Sequence, residues 1–188
     1  MILPLGDDNR NRTTVPFVTY TLLLLNIAVF AMFQQFGANS EFTYSFSTVP
    51  EEIVTGRDLV TEGRIHSDPA TGNRYRIPGL GVTPISVYLT LLTSMFMHGG
   101  WAHLLGNMLY LWIFGDNIED RIGHGRFVLF YLVCGIIAAL AHVLVTYAVG
   151  GSTTTPMLGA SGAISAILGA TFCSSRRTGS ASSCSGFS

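Results

Sequence analysis

Three polar side chains in otherwise apolar surroundings have the types and spacing to do chemistry: His103, Asn107 and Ser161. His103 and Asn107 are four apart in Trp101–Gly115, a stretch without acid or arginine. On a helix they share one face about 40° apart and can aim two hydrogen-bond donors at one spot. Ser161 lies in Gly159-Ala160-Ser161-Gly162, directly after a loop containing Pro156. Its small neighbours leave the hydroxyl approachable, and the free N–H groups of a first helical turn would face an oxyanion formed beside it. The same residues also read as a buried polar pair tying two helices together, and as an N-cap serine flanked by packing glycines. Taken singly, they leave both readings open.

The elements that must position them follow from composition. Of 188 residues, 48% are hydrophobic and only 11% charged, whereas a soluble domain carries roughly 25% charge. The missing charge points to a bilayer. Ten arginines, no lysine and eleven acids give a net charge of −1, which argues against a nucleic-acid surface. Three cysteines without metal-type spacing argue against a disulfide framework or a zinc module.

A span needs about 20 apolar residues to cross about 30 Å of hydrocarbon. Val15–Phe36, with Leu22–Leu25 at its centre, predicts a first span. A cleaved signal peptide fits less well, because the start carries mixed charge and no small-x-small site follows. Gly37–Pro84 is polar and predicts a long extramembrane loop. Ile85–Met97 is too short to cross and predicts a loop helix lying partly in the membrane, ahead of a second span from Trp101 to Gly115. Asp116–Arg126 predicts a charged turn, Phe127–Val149 a third span, and a fourth begins near Gly159. The small-residue stripes of that last helix, Gly162/Ala166/Ala170 and Ser161/Ser165/Gly169, place it at the bundle centre. Arg10, Arg12, Arg121, Arg126, Arg176 and Arg177 put the N-terminus and the second-to-third turn in the cytoplasm. Odd spans then run outward.

Together these pieces have a known counterpart. The run Thr93-Ser94-Met95-Phe96-Met97-His98-Gly99-Gly100-Trp101-Ala102-His103-Leu104-Leu105-Gly106-Asn107, followed two spans on by Gly159-Ala160-Ser161-Gly162, resembles the rhomboid family of intramembrane serine proteases over roughly residues 15 to 170. The resemblance implies an all-α, polytopic membrane bundle, with about four of six or more spans present here. It implies that Ser161 is the nucleophile and that His103 and Asn107, with the Ser161 N–H, hold the oxyanion. Gly159 and Gly162 match the glycines around the serine, and His98 matches a histidine just upstream of the oxyanion helix. The substrates implied are transmembrane segments of membrane proteins, cut near the outer face, with no metal or organic cofactor and no nucleic-acid partner. The implied location is an integral membrane one with the N-terminus cytoplasmic. The arginine-only basic complement suggests a GC-rich genome and so a bacterial inner membrane.

The sequence departs from the family after Ala170. Family members take the serine proton with a histidine on a sixth span, and no histidine follows Ser161. We therefore expect residues 1–170 to form the rhomboid-like membrane domain and residues 171–188 to be a non-family, Ser-rich tail, from an altered reading frame or premature end or else as a genuine short variant. A chain without that base is expected to be inactive as written or to need another copy to complete its site. Upstream, His142 and His103 are formal candidates for the base, while His66 and His124 sit in charged loops. Two other classes compete with the protease: a non-catalytic rhomboid-like protein that binds transmembrane helices, and a small transporter or metal-binding protein built on His98, His103 and His142. Against the last, His98 and His103 are five apart, about 140° around a helix, with no intramembrane acid beside them.

Overall fold

The structure is a computed structural model that describes residues 14–67 and 72–181. It is all-helical apart from one hairpin. Helix α1 spans Phe17–Ala28 and continues through a π-helical turn, Val29–Phe33. Two short helices follow, α2 (Ser40–Ser45) and α3 (Pro50–Thr55), then strands β1 (Arg64–Ser67) and β2 (Arg74–Ile77), paired antiparallel with Arg64 opposite Ile77. A broken helix comes next: a 3-10 turn at Val87–Leu89, α4 (Thr90–Thr93) and a second 3-10 turn at Ser94–Phe96. The long helices α5 (Trp101–Ile122), α6 (His124–Ala148) and α7 (Ser161–Ala181) complete the described residues.

The four long helices fall where the four spans are expected, and the broken helix where the loop helix is. By length and apolarity alone, α6 is the one helix among the described residues that suffices to cross a bilayer; Phe17–Phe33, Val87–Phe96 and Ser161–Thr171 are shorter apolar pieces. The core is formed by Leu22, Leu23 and Phe30 of α1, Leu111 of α5, Phe127 and Tyr131 of α6, and Ala163 and Ile167 of α7. Aromatic pairs mark both ends of the α1–α5 pair. Phe36 stacks on Trp101 at 5.5 Å at the loop-rich end, and Tyr20 meets Trp112 at 6.1 Å nearer the other. Such rings favour membrane–water interfaces.

The charged turn is shorter than the sequence suggests, because α5 runs unbroken through Asp116–Ile122 and Gly123 alone separates it from α6. Charge does not end the helix here because it is used against α1. That helix begins after Pro16 with no capping side chain of its own, so its first N–H groups need partners from elsewhere. Fully buried Glu119 supplies them, accepting from Val18 N at 2.9 Å, Thr19 N at 2.7 Å and Thr19 Oγ1 at 2.7 Å. Its Oε1 also lies 2.6 Å from His124 Nδ1, and Asp120 accepts from Thr14. Two carboxylates at a helix N-terminus also suit its dipole.

The loop from 37 to 84 is more ordered in pattern than its composition suggests, since two helices and a hairpin occupy it. In α7, Gly162 is pressed against α6: a Cβ there would fall 2.5 Å from the Ala138 Cβ. The other stripe, Ser161, Ser165 and Gly169, is exposed. With α5 and α6 as its long-helix neighbours, α7 has only part of its circumference covered. Its backbone stays helical through the boundary expected at 170, as far as Ala181, and residues 182–188 of the expected tail lie outside the described residues.

Candidate active site

Ser161 is placed by backbone pins on the segment before it. Thr48 and Met157 exchange both N–H···O bonds (3.0 and 2.7 Å), Glu51 N donates to Thr153 O at 3.0 Å, and Gly159 N donates to Ser94 O at 2.8 Å. Thr48 Oγ1 in turn reaches Thr90 O and Ser94 Oγ, both at 3.0 Å. The long first loop and the broken helix thus fix where α7 begins. The chain turns into it at Gly159, whose φ of +112° is one that glycine adopts readily and other residues do not.

Ile164 N donates to Ala160 O at 3.0 Å, so Ala160 holds the N-cap position and Ser161 is the first helical residue. The N-cap reading of Ser161 is corrected on this point. Its hydroxyl makes no hydrogen bond among the described residues and is exposed rather than buried. It borders a cavity of about 320 Å³ together with Ser94, Gly159 and His142.

His103 and Asn107 do share one face of α5, and that face meets the Gly159 turn. A Cβ on Gly159 would fall 2.6 Å from His103 Cε1 and Nε2 and 3.7 Å from Asn107 Nδ2. His103 and Asn107 therefore both lie against the Gly159 turn, and Ser161 stands two residues further along the chain. Asn107 is buried, and its Nδ2 has no partner. A buried donor left unmade costs about 1–3 kcal/mol, a cost that a bound acceptor would remove. Gly99 N donates to His103 Nδ1 at 3.4 Å. This contact favours the neutral tautomer in which Nδ1 presents its lone pair and Nε2, the atom against Gly159, carries the proton. Two N–H donors thus converge beside the free amides of the first turn of α7, and such an array can stabilise a carbonyl oxygen that gains charge.

His98 is fully buried, with its ring 5.3 Å from that of His103 and both ring nitrogens unpartnered. Its backbone is held by Gln34, which accepts from His98 N at 3.0 Å and donates to His98 O at 2.8 Å. Reading the sequence alone overlooks Gln34, since a single glutamine at the end of an apolar run carries no spacing signal. The pinning residues Thr48 and Ser94 are missed for the same reason. No group of three or more metal-ligating side chains occurs among the described residues, and His98, His103 and His142 do not form one.

A helical membrane bundle with a serine opening one helix and an imidazole–carboxamide pair on its neighbour defines a class. The Rhomboid domain model matches residues 86–183, which is more than half of the chain, so the chain belongs to the rhomboid family. Rhomboid protease GluP of Bacillus subtilis is 42% identical over 80 residues, covering 43% of this chain and 14% of that protein. The mitochondrial presenilin-associated rhomboid-like protein of Mus musculus is 33% identical over 106 residues, covering 51% of this chain and 28% of its own. RHOMBOID-like protein 5 of Arabidopsis thaliana is 34% identical over 80 residues, with 43% and 25% covered. The chain therefore spans less than a third of each of these relatives. Members of the family are integral membrane proteins.

Proposed function

We propose that this chain carries the nucleophile and oxyanion site of a rhomboid-type intramembrane serine endopeptidase. Ser161 Oγ attacks the scissile carbonyl of a substrate's transmembrane segment, and Asn107 Nδ2–H, His103 Nε2–H and the Ser161 N–H take up the charge that forms on its oxygen. Each well-placed donor of this kind lowers the barrier by about 3–4 kcal/mol. The observation that carries this reading is the orphaned, buried Asn107 donor directed with His103 at the Gly159 turn. Gly162 supports it by letting the serine end of α7 pack against Ala138.

The reading assigns nucleophile and oxyanion donors, not the base. A serine hydroxyl needs a base to attack. His142 borders the serine's cavity, and no hydrogen bond joins the two among the described residues. The substrate would be held at the loop-rich end. There Thr48 and Glu51 pair with the 153–157 segment, and residues of that segment border a cavity of about 670 Å³ lined by Gly99, Thr154, Pro156, Leu158, Arg64 and Ile77. With arginines on the cytoplasmic side, this end faces outward, as in a bacterial cytoplasmic membrane, and residues 1–170 make up the membrane domain.

The test is reaction of the purified protein with a fluorophosphonate probe. Labelling that disappears in Ser161→Ala is the expected result. Absence of labelling in the wild-type chain under conditions that label an active serine protease would favour the second reading, a rhomboid-like protein that binds transmembrane helices without cutting them.

A further inference from the structure

We propose that Gln34 is a positioning residue for His103, acting through the single peptide unit that joins His98 to Gly99. The inference rests on the reading of His103 as an oxyanion donor. Gln34 ends the π-helical turn of α1 and is followed by two residues of positive φ, Gln35 at 49° and Phe36 at 58°. Non-glycine residues seldom adopt that region, and holding them there costs of order 1–3 kcal/mol each. The turn throws Gln34 inward, where it is wholly buried 64 residues before its partner in sequence.

Its carboxamide is fully used. Nε2 donates to His98 O at 2.8 Å and to Thr43 Oγ1 at 2.9 Å, and Oε1 accepts from His98 N at 3.0 Å. The His98 carbonyl and the Gly99 N–H are the two ends of one planar peptide unit, whose rotation is costly. One end of that plane receives the Gln34 amide; the other donates to His103 Nδ1 at 3.4 Å. Holding the carbonyl therefore aims the N–H, and the aimed N–H makes Nδ1 the acceptor and Nε2 the donor. Donation to the carbonyl also polarises the peptide and strengthens its N–H as a donor. Without the glutamine, the stretch His98-Gly99-Gly100, with its two flexible glycines, is free to turn the amide away. The ring of His98 makes no hydrogen bond that holds this peptide, since both its nitrogens lack partners.

The test uses the full chain in lipid bilayers, with histidine labelled in both ring nitrogens and the His103 signals assigned by their loss in His103→Ala. Solid-state NMR of the wild type should show protonated Nε2 and unprotonated Nδ1. Gln34→Glu keeps the size and the acceptor for His98 N but loses both donations. Ionised, it should populate the other tautomer and slow fluorophosphonate labelling of Ser161 about tenfold, with a lowered melting temperature because a buried charge faces the His98 carbonyl. Gln34→Leu serves as the second variant and should shift the tautomer likewise. A wild-type ring protonated on Nδ1 overturns the proposal without any variant. So does a folded Gln34→Leu protein, which has no donor at any pH, whose His103 tautomer and labelling rate are unchanged. The underlying oxyanion reading fails separately, if His103→Ala labels as fast as wild type.

Discussion

Replacing Gly159 by alanine perturbs the site at the contact that defines it. The new Cβ would sit 2.6 Å from His103 Cε1 and Nε2, against about 3.5–4.0 Å for ordinary carbon contact, so the imidazole must retreat by roughly 1 Å. The backbone adds to this, because the φ of +112° costs a side-chain-bearing residue about 1–3 kcal/mol. A displacement of about 1 Å in a catalytic group lowers rates by about 10²-fold. Fluorophosphonate labelling of Gly159→Ala, followed against time in detergent, should therefore be about 100-fold slower than wild type. Thermal unfolding should show a loss within the backbone cost. Gly106→Ala is the control: it lies in α5 beside Asn107, and its Cβ would meet nothing within 4 Å. It should label as wild type and gain about 0.5–1 kcal/mol of helix stability. Wild-type labelling by Gly159→Ala would refute the claim that His103 works from its place against this turn.

Three further outcomes follow from the same geometry. Asn107→Leu removes an unpaired buried donor, so thermal stability should hold or rise while labelling of Ser161 falls by about 10²–10³-fold; equal losses in both would make Asn107 a structural residue. Glu119→Ala leaves the Val18 and Thr19 donors of α1 unmet and should destabilise the protein by about 3–5 kcal/mol in chemical denaturation; a loss under about 1 kcal/mol would show that the cap contributes little. Buried Glu52, in α3, is pushed above the usual carboxylate range by desolvation and by Asp58, against the bond its Oε1 accepts from Leu59 N. A raised folded value contributes stability at low pH that is lost as pH rises through it. Glu52→Gln should therefore slow proteolysis of the 37–84 loop at pH 7 but not near pH 4, and a pH-independent effect would contradict the assignment.

What is legible in the sequence is what periodicity and spacing encode. The four-residue step from His103 to Asn107 places both on one face, and the apolar runs locate the long helices. The resemblance joins Ser161 to them across two spans. Other features depend on partners far apart in the chain. Glu119 reads as part of a charged turn because nothing local shows that α1 lacks a cap 100 residues earlier. Gln34 and Thr48 carry no motif, and their roles exist only where the loop folds back on His98 and Met157. The exposure of Ser161 and Ser165 is illegible for a related reason: a stripe of small residues says that a helix can be approached closely, not which neighbour approaches it.

The central claim is tested most directly by reconstituting the full chain in liposomes with a single-span reporter protein and sequencing the N-terminus of any product. The account expects a cut within or at the outer edge of the reporter's transmembrane segment, abolished by Ser161→Ala and strongly reduced by His103→Ala or Asn107→Ala. A cut that persists in Ser161→Ala, or a wild-type chain that binds the reporter and leaves it whole, would contradict it.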